Sequence, residues 1–322
     1  MTDLDQAQQP ATSTRRKIAR YLLLSLLFVL LSGASLGGIW WWRTSQAVQR
    51  TNDKNKKSDK ADKKALEKDK LEPTNGGNER EISHPLDPAI DFARHILDKF
   101  RSRVHDYSAM MIKQERKEGQ LYPRTTMFTK VREQRGNDGQ SPQPLSVYVR
   151  FDDPPAQRGR EVIWVEGQNE GNLIVHEGGL LGFKRLLLEP TGVLAMAGSR
   201  YPITDAGIER LLEKMFARTL RDRDSGGQCE LQFEEDATFG SCEGVRIVIT
   251  HPTPDAGFDF YRAEVEIDPE NFSYLRYAAY DWPTESEPEG QLIEEYIYRQ
   301  VQINPGLTDS DFDPDNPLYK FP

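Results

Sequence analysis

An uncharged apolar run of 22 residues, Tyr21 to Trp42, constrains this chain more than any other feature. Roughly 20 such residues suffice to cross a hydrocarbon core as a helix. The run is bracketed by Arg15, Arg16, Lys17 and Arg20 on one side and by Trp40, Trp41, Trp42 and Arg43 on the other. Clustered tryptophans suit a headgroup interface, so a single-pass membrane anchor is expected over 21–42. Ser32-Gly33-Ala34 offers the small residues of a cleavage site, which keeps a cleaved signal peptide as the competing reading. The denser basic cluster lies before the run, and long domains translocate largely regardless of charge. The expected topology is therefore a short cytoplasmic tail over 1–20 and an extracytoplasmic C-terminal domain, tethered to a bacterial inner membrane.

The rest of the chain must be very polar, because the net charge is -9 and the mean hydropathy is -0.68 despite that run. An acidic balance without a basic, aromatic-interleaved patch argues against a nucleic-acid partner, whose phosphates demand clustered Lys and Arg. Residues 43–83 are rich in Lys, Asp, Glu and Asn and end near Asn75-Gly76-Gly77-Asn78. With no apolar stripe to dock, this stretch reads as a charged, disordered linker. What remains, 84–322, is long enough for one sizeable domain with its own core.

That domain opens on a helix predicted from Pro88 to Val104, where Ile90, Ala93, Ile96, Leu97 and Phe100 share a face and Asp87 precedes the proline as a cap. The hydrophobic period then becomes two. Strands are predicted over 107–114, 122–132, 145–151, 161–165 and 173–176, and again over 230–233, 245–250, 261–267, 274–282 and 292–303. Turn residues between them make consecutive antiparallel pairing the economical arrangement. Between the two sets lie a greasy, glycine-broken stretch from Gly178 and a helix carrying Ile208, Leu211, Leu212, Met215, Phe216 and Thr219 on one face after a Thr204 or Asp205 cap. The expected fold is mainly β (α+β): a curved antiparallel sheet or incomplete β-barrel with an N-terminal helix and an inserted helical lid, preceded by one transmembrane helix.

If the lid closes over a hollow, Leu186, Leu188, Val193, Met196, Leu211 and Met215 line it from the lid side, with Val147, Val149, Trp164 and Tyr280 behind them on strands. If the interior is filled, the same residues are ordinary core. Cys229 and Cys242 flank a turn placed near Glu235-Asp236, so a disulfide across that hairpin is expected, against two isolated thiols. Histidines are scattered, and the patterns of zinc proteases, serine hydrolases, phosphate loops and dinucleotide sites are missing, so no catalytic residue, metal ligand or cofactor is assigned. Glu234-Glu235 and Glu294-Glu295 point to opposite faces of their strands and cannot form a carboxylate dyad.

The phrases Ser199-Arg200-Tyr201-Pro202-Ile203-Thr204, Tyr280-Asp281-Trp282-Pro283 and Asp311-Phe312-Asp313-Pro314-Asp315-Asn316-Pro317 resemble an uncharacterised bacterial envelope family, number 1571 among the domains of unknown function. The order of elements resembles the LolA and LolB lipoprotein-carrier superfamily. That second resemblance implies a capped, incomplete barrel holding acyl chains. It makes a lipid or a lipoprotein acyl chain the expected ligand, with no catalysis. A sensor or scaffold that binds an envelope protein through a filled version of the same fold is the alternative.

Overall fold

The computed structural model describes residues 43–69, 83–136, 142–178, 184–254 and 257–322. The Tyr21–Trp42 run lies outside these residues; among those described, no helix is long and apolar enough to cross a membrane. The chain divides into two units, at Arg50 and Thr51, and the second contains the sheet.

A helix over 43–69 (α1) replaces the structureless linker expected there. From Thr51 onward it belongs to the same unit as the sheet. Next come α2, Asp87–Arg103, and the strands β1, Asp106–Lys117, β2, Gln120–Leu121, β3, Thr125–Arg132, β4, Ser146–Asp153, β5, Glu161–Val165, β6, Leu173–His176, and β7, Arg185–Leu188. Helix α3, Ile208–Asp224, leads into β8, Glu230–Phe239, β9, Cys242–Thr250, β10, Arg262–Ile267, β11, Tyr274–Tyr280, and β12, Leu292–Ile303.

All of these strands join one antiparallel, 12-stranded sheet in the order β7-β6-β5-β4-β3-β1-β12-β11-β10-β9-β8, with the short β2 pairing on β1. The sheet is open at β7 and β8. It is thus the mainly β architecture expected, with two meanders joined at the centre by β1 and β12. The sequence reading left out β7. Its exposed edge position explains why: Arg185-Leu186-Leu187-Leu188 has no polar alternation to mark a half-buried strand.

One face of the sheet carries the main core. Ile90, Ile96, Leu97 and Phe100 of α2 pack there with Ile208, Leu212, Phe216 and Leu220 of α3, above strand residues such as Val147, Ile247 and Leu275. Asp87 is the first residue of α2 instead of its cap. Its Oδ2 accepts the Ser83 and His84 amides at 3.0 and 2.9 Å, which ties the preceding turn to the first residue of the helix. The α3 cap also differs from the Thr204 or Asp205 expected. Gly207, at φ 117°, sits at the cap, and the Ile208 amide donates to the hydroxyl of Tyr107 at 2.8 Å, a partner 101 residues away that no local pattern reveals. On the opposite face, the C-terminal segment lays Phe312 and Tyr319 over Tyr148 and Ile163, with the Tyr148 and Tyr319 rings stacked 4.1 Å apart.

The hairpin of β8 and β9 corrects the disulfide. Its turn is Gly240-Ser241, and what looked like a turn at Glu235-Asp236 is a register shift between Glu234 and Ala237. Cys242 therefore sits beside the turn, opposite Phe239, while Cys229 precedes Glu230, the partner of Thr250 at the far end. At about 3.3 Å per residue the two are roughly 30 Å apart along the strand, far beyond the ~7 Å that a bridge spans, and they are not joined.

A candidate ligand cavity between sheet and lid

A cavity of about 490 Å³ lies between the sheet, the segment that follows β7, and α3. The strand register explains its walls. Met111, Lys113 and Glu115 alternate along β1, and their partners on β12 are Tyr298, Tyr296 and Glu294. Moving outward from β1, Met127 of β3 pairs with Phe151 of β4, Val149 with Val162 of β5, Val162 with Val175 of β6, and Val175 with Leu186 of β7. All of these side chains line the cavity. Helix α3 has two working faces: Leu212, Phe216 and Leu220 enter the core, whereas Leu211, Lys214, Met215 and Arg218 face the cavity. The remaining wall comes from Pro190, Leu194, Ala195, Ser199, Tyr201 and Asp205 of the intervening segment.

Five of the residues expected at a lined hollow are found there, Leu186, Leu188, Leu211, Met215 and Val149, although Leu186 and Leu188 reach it from strand β7 of the sheet and not from the lid. The others are elsewhere. Met196 is completely buried beneath the segment, its carbonyl accepting Lys117 Nζ at 2.8 Å, and Val193 is half-buried outside the lining. Val147 and Trp164 occupy the correct face but are paired with each other nearer the helices, where the interior is filled. Tyr280 sits on the opposite face, three residues beyond Tyr277, with the Arg262 guanidinium 4.6 Å from its ring centre. A strand side chain an odd number of positions away points to the other side, so a correct strand with the wrong parity removes the residue from the site.

Sequence reasoning missed the charged part of the wall. Glu115 and Glu294 are both nearly inaccessible, 3% and 2% exposed. Tyr296 donates to Glu115 Oε1 at 2.5 Å, and Lys113 Nζ lies 3.2 Å from Oε2 of the same carboxylate and 2.9 Å from Ser199 Oγ. Glu294 meets Arg200 Nε at 2.9 Å and Arg218 at 3.6 Å, and Arg218 also donates to the Tyr277 hydroxyl at 2.6 Å. Burial pushes the Tyr277 phenol far up, so it stays protonated. Lys214 bridges Asp59 of α1 and Asp205 at 2.8 and 3.2 Å. The available signal was parity: Lys113 and Glu115 share a face with Ala109 and Met111, and Glu294 with Tyr296 and Tyr298, so the charges fall on inward positions. The opposite orientation of Glu294 and Glu295 is seen directly, since Glu295 pairs with Arg276 at 2.9 Å on the other face.

Among the described residues, no group of three or more His, Cys, Asp and Glu side chains is placed to hold a metal ion.

A single sheet face that stops being filled partway along, under a helix with two faces, defines a chain built around a hollow. The family described as Protein of unknown function (DUF1571) matches residues 104–321, and the chain belongs to that family. No curated protein matches it. Among solved structures it is similar to a DUF1329 family protein from Desulfovibrio piger, at 11% identity, 72% of this chain, 98% of that one and a TM-score of 0.34. A domain from Vibrio parahaemolyticus assigned as an outer membrane lipoprotein-sorting protein gives 11% identity, 70% and 95% coverage and a TM-score of 0.32. A LolA superfamily protein from Nitrosomonas europaea gives 11%, 69%, 97% and 0.26.

Proposed function

We propose that this protein binds the acyl portion of a lipid or of a lipoprotein in the cavity, without catalysing a reaction on it. The supporting observation is the continuous apolar surface formed by Met127, Val149, Phe151, Val162, Val175, Leu186 and Leu188 around a volume typical of small-molecule sites. Met111, Met127 and Met215 add flexible, polarizable contacts that adapt to chains of different shape. In the same reading, Tyr21–Trp42 tethers the chain to the bacterial inner membrane and the domain works outside the cytoplasm, where its ligand resides.

Native mass spectrometry of the full chain, purified gently from its membrane and followed by organic extraction, tests this. Stoichiometric lipid or acylated peptide is expected. Val162→Trp fills the apolar wall and is expected to abolish that adduct while the chain still folds. A parent protein that is reproducibly empty, or a tryptophan variant that retains its full load, overturns the proposal.

A further inference from the structure

The cavity is chemically divided, and the division follows the strand order. On β3 to β7 and the loops between them its wall is apolar apart from Thr125, Gln157, Arg160 and Glu177, while on β1, β12 and β11 it presents Lys113, Glu115, Glu294, Tyr296 and Tyr277. The facing helix repeats the pattern, with Leu211 and Met215 beside Lys214 and Arg218. A ligand that fills both halves has an apolar part and a polar part. We propose that the polar half receives the head group of an amphiphile, and that this head group is zwitterionic instead of net anionic; the proposal rests on the acyl-binding reading above.

The charge balance of the wall carries the argument. Four cations and four carboxylates pair within the lining: Lys113 with Glu115 at 3.2 Å, Lys214 with Asp205 at 3.2 Å, Arg218 with Glu294 at 3.6 Å and Arg160 with Glu177 at 2.9 Å; just behind it, Arg200 also bonds Glu294 at 2.9 Å, Asp259 bonds Arg218 at 3.3 Å and Asp59 bonds Lys214 at 2.8 Å. The lining therefore has no net charge. A purely anionic head would be held beside Glu115 and Glu294, which are too deeply buried for solvent to screen the repulsion. A head with both signs meets complementary partners: its ammonium faces these two carboxylates, and its phosphate faces Lys113 and Arg218. Lys113 bonds Ser199 and Glu115, so one of its three donors remains for an incoming oxygen.

The experiment is native mass spectrometry of the full chain in detergent micelles containing equal parts of dioleoyl phosphatidylethanolamine and dioleoyl phosphatidylglycerol. Val162→Trp reports any lipid held outside the cavity. The expected result is a several-fold excess of the phosphatidylethanolamine adduct in the parent. Glu294→Gln leaves the wall with one surplus positive charge and is expected to shift the ratio toward phosphatidylglycerol. Asp205→Asn changes the charge in the same sense at a more accessible position, so it supplies the same readout if the first variant does not fold. Equal adducts, or an excess of phosphatidylglycerol in the parent, overturn the head-group assignment and leave acyl binding standing. Failure of both lipids to bind the parent overturns the two readings together.

Discussion

At the level of single residues, Glu133 carries a buried carboxyl whose ionisation the fold opposes. It is 2% exposed just beyond β3, at the start of α3, where it accepts the Glu209 amide and lies beside the Tyr107 hydroxyl. Burial, reinforced by the charge of Glu209 and opposed by Arg135 and Arg210, pushes its carboxyl from 4.5 to about 8. The folded protein thus favours the protonated acid. The contribution of this group to stability is complete below about pH 4.5, falls as pH rises toward about 8, and then levels. Glu133→Gln is expected to match the parent near the acid end and to be more stable by at least about 1 kcal/mol at about pH 9. Chemical denaturation across that range measures the difference, and parallel curves for the two proteins would refute it. Burial also pushes Asp222 up to about 7, so both proteins share that slope and only their difference reports Glu133. Nothing in the local sequence marks Glu133 as buried, because its environment comes from a helix more than seventy positions away.

At the level of elements, α1 shows how hydropathy can hide a docked helix. Asn52, Asn55, Asp59, Asp62, Leu66 and Asp69 follow alternating steps of three and four, the spacing of one helical face. Asn52 and Asn55 donate to the carbonyls of Thr191 and Arg200 at 3.0 and 2.6 Å. Asp59 reaches Lys214 at 2.8 Å, Asp62 reaches Arg221 at 2.9 Å, and Asp69 pairs with Arg94 of α2. Among the described residues from Thr51 to Asp69, Ala65 and Leu66 are the apolar side chains packed against the core, so this stripe is mostly polar. A search for apolar periodicity passes over it. Docking through partly buried ion pairs, whose side chains stay 11% to 40% exposed, still weakens with salt, since the screening length falls from about 10 Å at 0.1 M to about 3 Å at 1 M. Amide exchange over 51–69 is expected to speed up with added salt, and in Asp62→Lys it is expected to be fast at all salt concentrations while the sheet stays protected. Salt-independent protection of this helix would refute polar docking.

For the whole molecule, the open sheet with an unfilled interior has an energetic consequence. A ligand that binds the folded chain and not the unfolded one stabilises it according to its concentration over its dissociation constant. Extraction of the cavity contents is expected to lower Tm by several degrees, and readdition of phosphatidylethanolamine to restore it, as read by scanning calorimetry. In Val162→Trp, where the side chain fills the same space, both shifts are expected to vanish. Equal Tm values for extracted and reloaded parent protein would show that nothing stabilising occupies the cavity.

The sequence by itself determined α2, α3 and most of the strands, though not β7 or α1, because alternation of period two and an apolar stripe of period 3.6 are written in neighbouring residues. β5, β6 and β12 fall where the pattern places them, and the core faces of α2 and α3 follow from Ile90, Ile96, Phe100, Leu212 and Phe216. It also marked Leu186, Leu188, Leu211, Met215 and Val149 as lining, since each is apolar on the inward side. Tertiary structure decided where that face is filled and where it is hollow. Val147 and Val149 are the same residue type on the same strand, yet one meets the core and the other the cavity, according to how far the helices reach. It decided as well that Cys229 and Cys242 stand at opposite ends of their hairpin, because a two-residue turn and a register shift outweigh a turn propensity. Periodicity is a property of the chain; enclosure, and the pairing of charges such as Glu294 with Arg218 across 76 positions, exists only once distant segments share a space.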